Sequence, residues 1–255
     1  GKSLFLNSFM SRRGAAAPSG TAEGHWLRIA AVATDIDGTI TGKASRISCP
    51  AIRSIRALER AGLPVILASG NALCVMMTLQ TYIGSNGASI CEGGGVVEYK
   101  EETRVLGERT VPQAALEALK RRFGSRIVES WSNQYRYVDV ALERTIPRNS
   151  VRKVLASFPS LSLWDSGYAY HIVSKNVDKG LGLRTAAEMM ALDPRGIVAI
   201  GDSETDVPLF RAAGLSIAIG NAEMSLKRIA TRVVAGRDGR GFKEAADLIL
   251  SRSLD

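Results

Sequence analysis

The chain has 255 residues, 45% of them hydrophobic and 23% charged, enough to bury a sizeable core and to form one larger and one smaller domain. No run approaches the ~18 apolar residues of a helical membrane span, which argues against a membrane partner. The formal charge of +8 is unevenly spread: residues 103–176 carry twelve basic against six acidic side chains and residues 1–28 four against one, while the remainder is near balance.

Residues 1–25 are rich in Gly, Ala and Ser with little periodicity, and read as a flexible extension or a dimer contact. Gly1-Lys2-Ser3 resembles the end of a phosphate-binding loop, but no strand or glycine loop precedes it. Leu4 to Met10 is too short and interrupted for a secretory segment.

The apolar run Ile29 to Ala33 lacks polar alternation, which predicts a strand buried on both faces of a parallel sheet. Asp35-Ile36-Asp37-Gly38-Thr39 follows at its carboxyl end, where open α/β sheets place ligands. Side chains two apart on extended backbone share a face, so the carboxylates of Asp35 and Asp37 can converge. An ionised carboxylate attacks phosphorus without a base to activate it, which suits Asp35 as nucleophile. Asp37 suits the acid and then the base, given a pKa raised by crowding, and Thr39 a supporting role. Taken alone, this segment reads equally well as an acidic turn.

A second apolar run, Leu63 to Leu67, ends at Ala68-Ser69-Gly70-Asn71. The Ser69 hydroxyl and the amides around Gly70 can donate to phosphoryl oxygens; the commoner job for such a serine is capping the helix that begins near Ala72. Gly93-Gly94-Gly95 precedes the strand-like Val96-Val97 and reads as a hairpin turn. The three cysteines, Cys49, Cys74 and Cys91, have no metal or redox spacing and read as small buried hydrophobes in a reducing compartment, hence a cytoplasmic protein.

Residues 103–176 carry an α+β pattern. Ala114 to Phe123 and Ser150 to Phe158 read as helices, Tyr135 to Leu142 as an alternating strand, and Leu161 to Val173 as a strand pair turning near Asp165-Ser166-Gly167. A basic unit over an acidic core suits a small anionic phosphate ester. Within it, Arg136 and His171 are the favoured substrate contacts.

Lys179 opens the helical run Leu181 to Ala191 and supplies a compact charge that can neutralise phosphate and nucleophile together. Ile197 to Ile200 is a further apolar strand, broken at Gly201-Asp202-Ser203-Glu204-Thr205-Asp206. Asp202 and Asp206 lie four apart at a strand-to-helix junction; with Asp35 they offer oxygen-only ligation, which suits Mg2+, and Ser203 supports them.

These segments, in this order, resemble the haloacid dehalogenase superfamily and, within it, the archaeal phosphoglycolate phosphatase branch. The resemblance rests further on Gly84-Ser85-Asn86-Gly87, Cys91-Glu92-Gly93-Gly94, Ser166 to His171, Pro208, Phe210 and Arg240-Gly241-Phe242, and runs from about Arg28 to the C-terminus. It implies a Rossmann-like parallel-sheet core at 26–102 and 177–255, with an inserted α+β cap at 103–176. It also implies that Asp35, Asp202, Asp206 and the carbonyl of Asp37 hold magnesium while Lys179 contacts phosphate. Two departures stand out: Gly93 replaces an asparagine usual in the family, and Thr205 another.

The expected activity is Mg2+-dependent hydrolysis of a small phosphate monoester, 2-phosphoglycolate first, through an aspartyl phosphate. A sugar-phosphate phosphatase, a phosphomutase or a catalytically weak regulatory relative would use the same residues. A nucleic-acid-binding protein would show a continuous basic stripe with stacking aromatics, whereas the basic residues here are dispersed. A monomer or homodimer fits equally.

Overall fold

A computed structural model describes residues 29–42, 45–167 and 169–252. The extension expected at 1–25 and Tyr168 lie outside the described residues.

The first half builds the centre of a sheet. Strand β1 (Ala31–Asp35) is wholly buried, and helix α1 (Cys49–Arg60) starts where Ser48 accepts a hydrogen bond from the Ala51 amide, with Pro50 in the first turn. Strand β2 (Val65–Ala68), helix α2 (Leu73–Ile83) and strand β3 (Ser89–Cys91) follow. Then β4 (Val96–Tyr99) and β5 (Glu102–Val105) turn back antiparallel, so the triple glycine does sit in a hairpin. The boundary expected at 103 falls inside β5, which is still part of this sheet.

The chain then forms a separate three-stranded unit from helix α3 (Thr110–Phe123), strand β6 (Val140–Glu143), helix α4 (Arg148–Leu155), and strands β7 (Leu161–Asp165) and β8 (Ala169–Ser174). It returns to the large sheet through helix α5 (Lys179–Met189), strand β9 (Ile197–Gly201), helix α6 (Val207–Ala212), strand β10 (Leu215–Ala218), helix α7 (Met224–Lys227), strand β11 (Arg232–Val233) and helix α8 (Asp238–Leu250).

The large sheet runs β11-β10-β9-β1-β2-β3-β4-β5, parallel from β11 to β3. Alternation along β1 feeds both faces. Val32 packs with Ile55, Leu58 and Phe242 of α1 and α8, while Ala31 and Ala33 pack with Leu183, Ala186 and Leu209 of α5 and α6. Burying each of the larger aliphatic side chains contributes roughly 1.5–3 kcal/mol. Two covered faces explain why the strand runs are continuously apolar. They also fix the carboxyl ends of β1, β2 and β9 at one edge.

The smaller sheet, β6-β8-β7, is antiparallel and covered on one face only. Val140, Leu142 and Ile172 point into a core with Leu116, Leu119, Val151 and Leu155 of α3 and α4. The opposite face presents Ala141, His171 and Trp164 as cross-strand neighbours in one row. The strand expected over Tyr135 to Leu142 is shorter, because the amides of Tyr137, Val138 and Asp139 donate to the Glu92 carboxylate instead of to a neighbouring strand. Cys91 is buried as expected. Cys49 and Cys74 correct the expectation, being exposed on α1 and α2.

Among the described residues, no helix is long and apolar enough to cross a membrane.

Candidate active site

The carboxyl edge of the large sheet gathers three carboxylates. Asp35 ends β1, Asp202 follows β9, and Asp206 lies one turn later; one oxygen from each falls within 4.8 Å of the others. Lys179 reaches them from the first turn of α5, where Asp178 caps the helix by accepting from the Leu181 amide at 2.8 Å. Its Nζ donates to Asp35 Oδ1 at 2.5 Å and to Asp206 Oδ1 at 2.6 Å. The second oxygen of Asp206 accepts from the amides of Asp202 and Ser203, each at 3.1 Å, and from the Ser203 hydroxyl at 3.3 Å. Ser203 therefore shapes the loop that aims the acids.

Asp202 is held from the other side. The Thr39 hydroxyl donates to its Oδ1 at 2.7 Å, and Asn221 Nδ2 lies 3.4 Å from Oδ2 while donating to the Gly38 carbonyl at 2.9 Å. Gly38 has φ +87°, and a Cβ there would stand 2.4 Å from Asp202 Oδ2, so conformation and space both require glycine. Sequence reading missed Asn221. Its signal is the same strand-end rule, because it follows the buried run of β10 directly after Gly220.

Burial dominates the electrostatics. It pushes the Asp35 carboxyl well above the ordinary range, against the pull of Lys179, with Asp206 and Asp202 adding to the rise. Asp202 is pushed up to about 7 by burial and then by Asp206. Against its burial, Asp206 and Asp35 hold the Lys179 ammonium far above its usual value. Three close carboxylates facing one ammonium leave excess negative charge and hard oxygen donors, a set that fits magnesium. Asp37 stands apart from that cluster, half-buried. Its carboxyl is raised by burial, and Lys179, the Ser69 hydroxyl and His171 pull it back.

Ser69 is buried at the end of β2 and accepts from Asn71, through the amide at 3.2 Å and through Nδ2 at 2.9 Å. It does not cap α2, where Ala72 takes the cap position without a side-chain bond.

The open face of the smaller sheet lies above this edge. Together they enclose a cavity of about 420 Å³ whose lining includes Asp35, Asp37, Ser69, Gly70, Lys179 and Asp202 below, with His171, Trp164, Arg144 and Arg148 above. His171 Nδ1 lies 2.9 Å from Asp139 Oδ2, and its Nε2 side faces Gly70. Arg136 corrects the sequence expectation. It does not line the cavity; its guanidinium binds Asp139 at 2.7 Å, the Gly70 carbonyl and the Ser132 hydroxyl, each at 3.0 Å, so its Nε and Nη1 are engaged within the fold.

Two further contacts, beside the Arg136–Gly70 hydrogen bond, join floor and roof. Glu92 is buried in a left-handed conformation (φ 49°), and burial followed by the Asp139 charge raises it to about 7 although three backbone amides oppose the shift. Beside it, Gly93 has φ +65°, and a Cβ there would lie 2.0 Å from the Trp164 ring. The indole thus fills the space that a side chain at position 93 would need.

A family model described as haloacid dehalogenase-like hydrolase matches residues 32–139 and 140–245. The phosphoglycolate phosphatase of Methanothermobacter thermautotrophicus is 38% identical over 215 residues, covering 84% of this chain and 96% of that protein. The phosphoglycolate phosphatase of Methanopyrus kandleri is 40% identical over 216 residues, covering 82% and 92%. A Thermoplasma acidophilum protein of known crystal structure superposes with a TM-score of 0.80 at 26% identity, covering 89% of this chain and all of that one.

Proposed function

This chain belongs to the haloacid dehalogenase-like hydrolases and is a phosphoric monoester hydrolase, and from that premise we propose that it hydrolyses 2-phosphoglycolate with bound magnesium through an aspartyl phosphate. The observation that carries the chemistry is Lys179 bridging Asp35 and Asp206 beside Asp202. The choice of substrate is supported by the two phosphoglycolate phosphatases that the chain resembles.

Asp35, Asp202 and Asp206 would hold the metal, with the carbonyl of Asp37 in support. When bound, the ion supplies positive charge against the phosphoryl oxygens. An Asp35 oxygen attacks phosphorus as the bond to the leaving oxygen breaks, and Asp37 delivers its proton to that oxygen, so glycolate departs neutral at the hydroxyl. Asp37, now ionised, takes a proton from water. The water oxygen attacks the same phosphorus, the bond to Asp35 breaks, and phosphate is released. Lys179 pulls against the burial that raises Asp35 and shares the phosphoryl charge, while Ser69 and the amides around Gly70 steady its oxygens. The inserted three-stranded unit covers the reaction, limits bulk water and reads the leaving group, with His171 as one contact. Free thiols at Cys49 and Cys74 support work in a reducing compartment such as the cytoplasm.

Phosphate release with magnesium from 2-phosphoglycolate and a set of sugar phosphates tests this reading, with Asp35→Asn beside the wild type. Preferred turnover of 2-phosphoglycolate is expected, lowered at least ~10³-fold in the variant. Preference for sugar phosphates would keep the chemistry and reject the substrate. Phosphate appearing on a second hydroxyl instead of in solution would make the enzyme a mutase.

A further inference from the structure

The roof of the cavity holds two arginines that belong to no motif, and they differ in how they are used. Arg144 is spent: its Nη1 donates to the Gly167 carbonyl at 2.7 Å, its Nε lies 3.3 Å from Asp165 Oδ1, and its guanidinium stands 5.8 Å over the Tyr170 ring. Arg148, the first residue of α4, lines the same cavity, yet its side chain has no hydrogen bond or ion pair among the described residues. Its Nε is shut away from solvent without a partner, the one buried side-chain polar atom so placed among the described residues. Arg148 as a whole is half-buried and lines the cavity with no acceptor of its own, a state that points to an acceptor arriving with a ligand.

The position of Arg148 limits what that acceptor is. The floor already provides for a phosphoryl group, through Lys179, Ser69 and the metal-binding acids. A second anionic end of the same small molecule must therefore lie towards the roof. A guanidinium presents parallel N–H donors that match a carboxylate in two-pronged fashion, and it is pre-organised for that geometry in a way an ammonium is not. Arg136, the arginine favoured from sequence, is bound to Asp139. We propose that Arg148 is the specificity-determining receptor for the substrate's carboxylate, which restricts the enzyme to small phosphate esters carrying a carboxylate near the ester carbon. The proposal rests on the phosphoglycolate reading above and assigns the residue that enforces it. Esters lacking the carboxylate leave the Arg148 guanidinium without an acceptor, which is how a polar site rejects an analogue.

The test compares kcat/KM for 2-phosphoglycolate with that for 2-hydroxyethyl phosphate, in which a hydroxymethyl group replaces the carboxylate. The wild type should prefer the carboxylate ester. In Arg148→Met the ratio of the two values should fall at least about tenfold, with turnover of the hydroxyethyl ester reporting that the variant is folded. An unchanged ratio overturns the receptor and leaves the phosphoglycolate reading intact. A wild type with no preference between the esters overturns that reading and the receptor with it. Should Arg148→Met lose both activities, Arg148→Lys decides: it keeps the charge but not the fork, and a ratio equal to the wild type's rejects the two-pronged receptor.

Discussion

The floor and roof of the cavity both carry charge, and they arrange it in opposite ways. On the floor, every clustered carboxylate is already bonded within the protein, Asp35 and Asp206 to Lys179 and Asp202 to Thr39, yet the sum remains acidic. In the roof, Asp139 is paired with Arg136 and lies within hydrogen-bond distance of His171, and the group left without a partner is a cation, Arg148. The floor stands on parallel strands covered on both faces, whereas the roof is the bare face of a sheet covered on one. The difference teaches a division of labour: the groups proposed to make and break bonds sit at strand ends of a sheet packed on both faces. Those proposed to recognise the leaving group sit on a separate unit whose side chains can vary without disturbing that edge.

Lys179→Met would break the contrast most severely. It leaves Asp35 and Asp206 buried without their cation, so turnover should fall ~10³-fold or more, and stability in the absence of divalent metal should drop by about 3–5 kcal/mol. Kinetics and denaturant titration read the two effects. Survival of activity would mean that the floor does not depend on its internal cation.

A smaller effect is expected from Asn221→Ala, which removes the shared support of the Gly38 carbonyl and Asp202. Magnesium should raise the melting temperature of the wild type by relieving repulsion among the acids. The variant should need ~10–100-fold more magnesium for the same shift, the usual cost of losing a group that orients a ligand. A wild-type melting temperature that ignores magnesium would deny the floor its metal.

The smallest effect concerns the Glu92 contact between floor and roof. Its pKa is raised from an unfolded value near 4.5 to about 7, so the folded state binds the proton more tightly. Stability from this group is therefore present at low pH and is lost as pH rises between those two values. Glu92→Gln cannot ionise. Relative to the wild type, it should gain stability across that window, by at most about 3 kcal/mol, in melting curves taken from pH 5 to pH 8. A pH-independent difference would show that the three amide donors, and not burial, govern Glu92.

The same division explains what was legible in the sequence. Each floor residue lies within a few positions of a buried strand end or a helix start, so Asp35, Asp37, Ser69, Lys179, Asp202 and Asp206 could be singled out as an ordered set where no one segment sufficed. The parallel α/β core and the haloacid dehalogenase likeness were readable for that reason. Asn221 obeys the same rule but lacks a charge to draw notice. In the roof, the twelve basic residues of 103–176 look alike in sequence, and what separates Arg136, Arg144 and Arg148 is which of them finds a partner. That depends on how α4 and β6 pack, which no local pattern encodes. The shortened strand before Val140 has the same origin, since its amides are claimed by Glu92, 45 to 47 positions away.

The meeting of Gly93 and Trp164 has a consequence for how such an enzyme can change over generations. A side chain at 93 and an indole at 164 claim the same volume, so in this backbone the two positions cannot be inherited independently. Starting from an asparagine at 93, acquiring the tryptophan first would force atoms to within 2.0 Å of one another, whereas shortening to glycine first leaves only a gap for the ring to fill later. The accessible route therefore has a direction. Once the indole is seated, restoring a side chain at 93 requires the ring to move first, so the wall of the pocket and this one glycine are tied together.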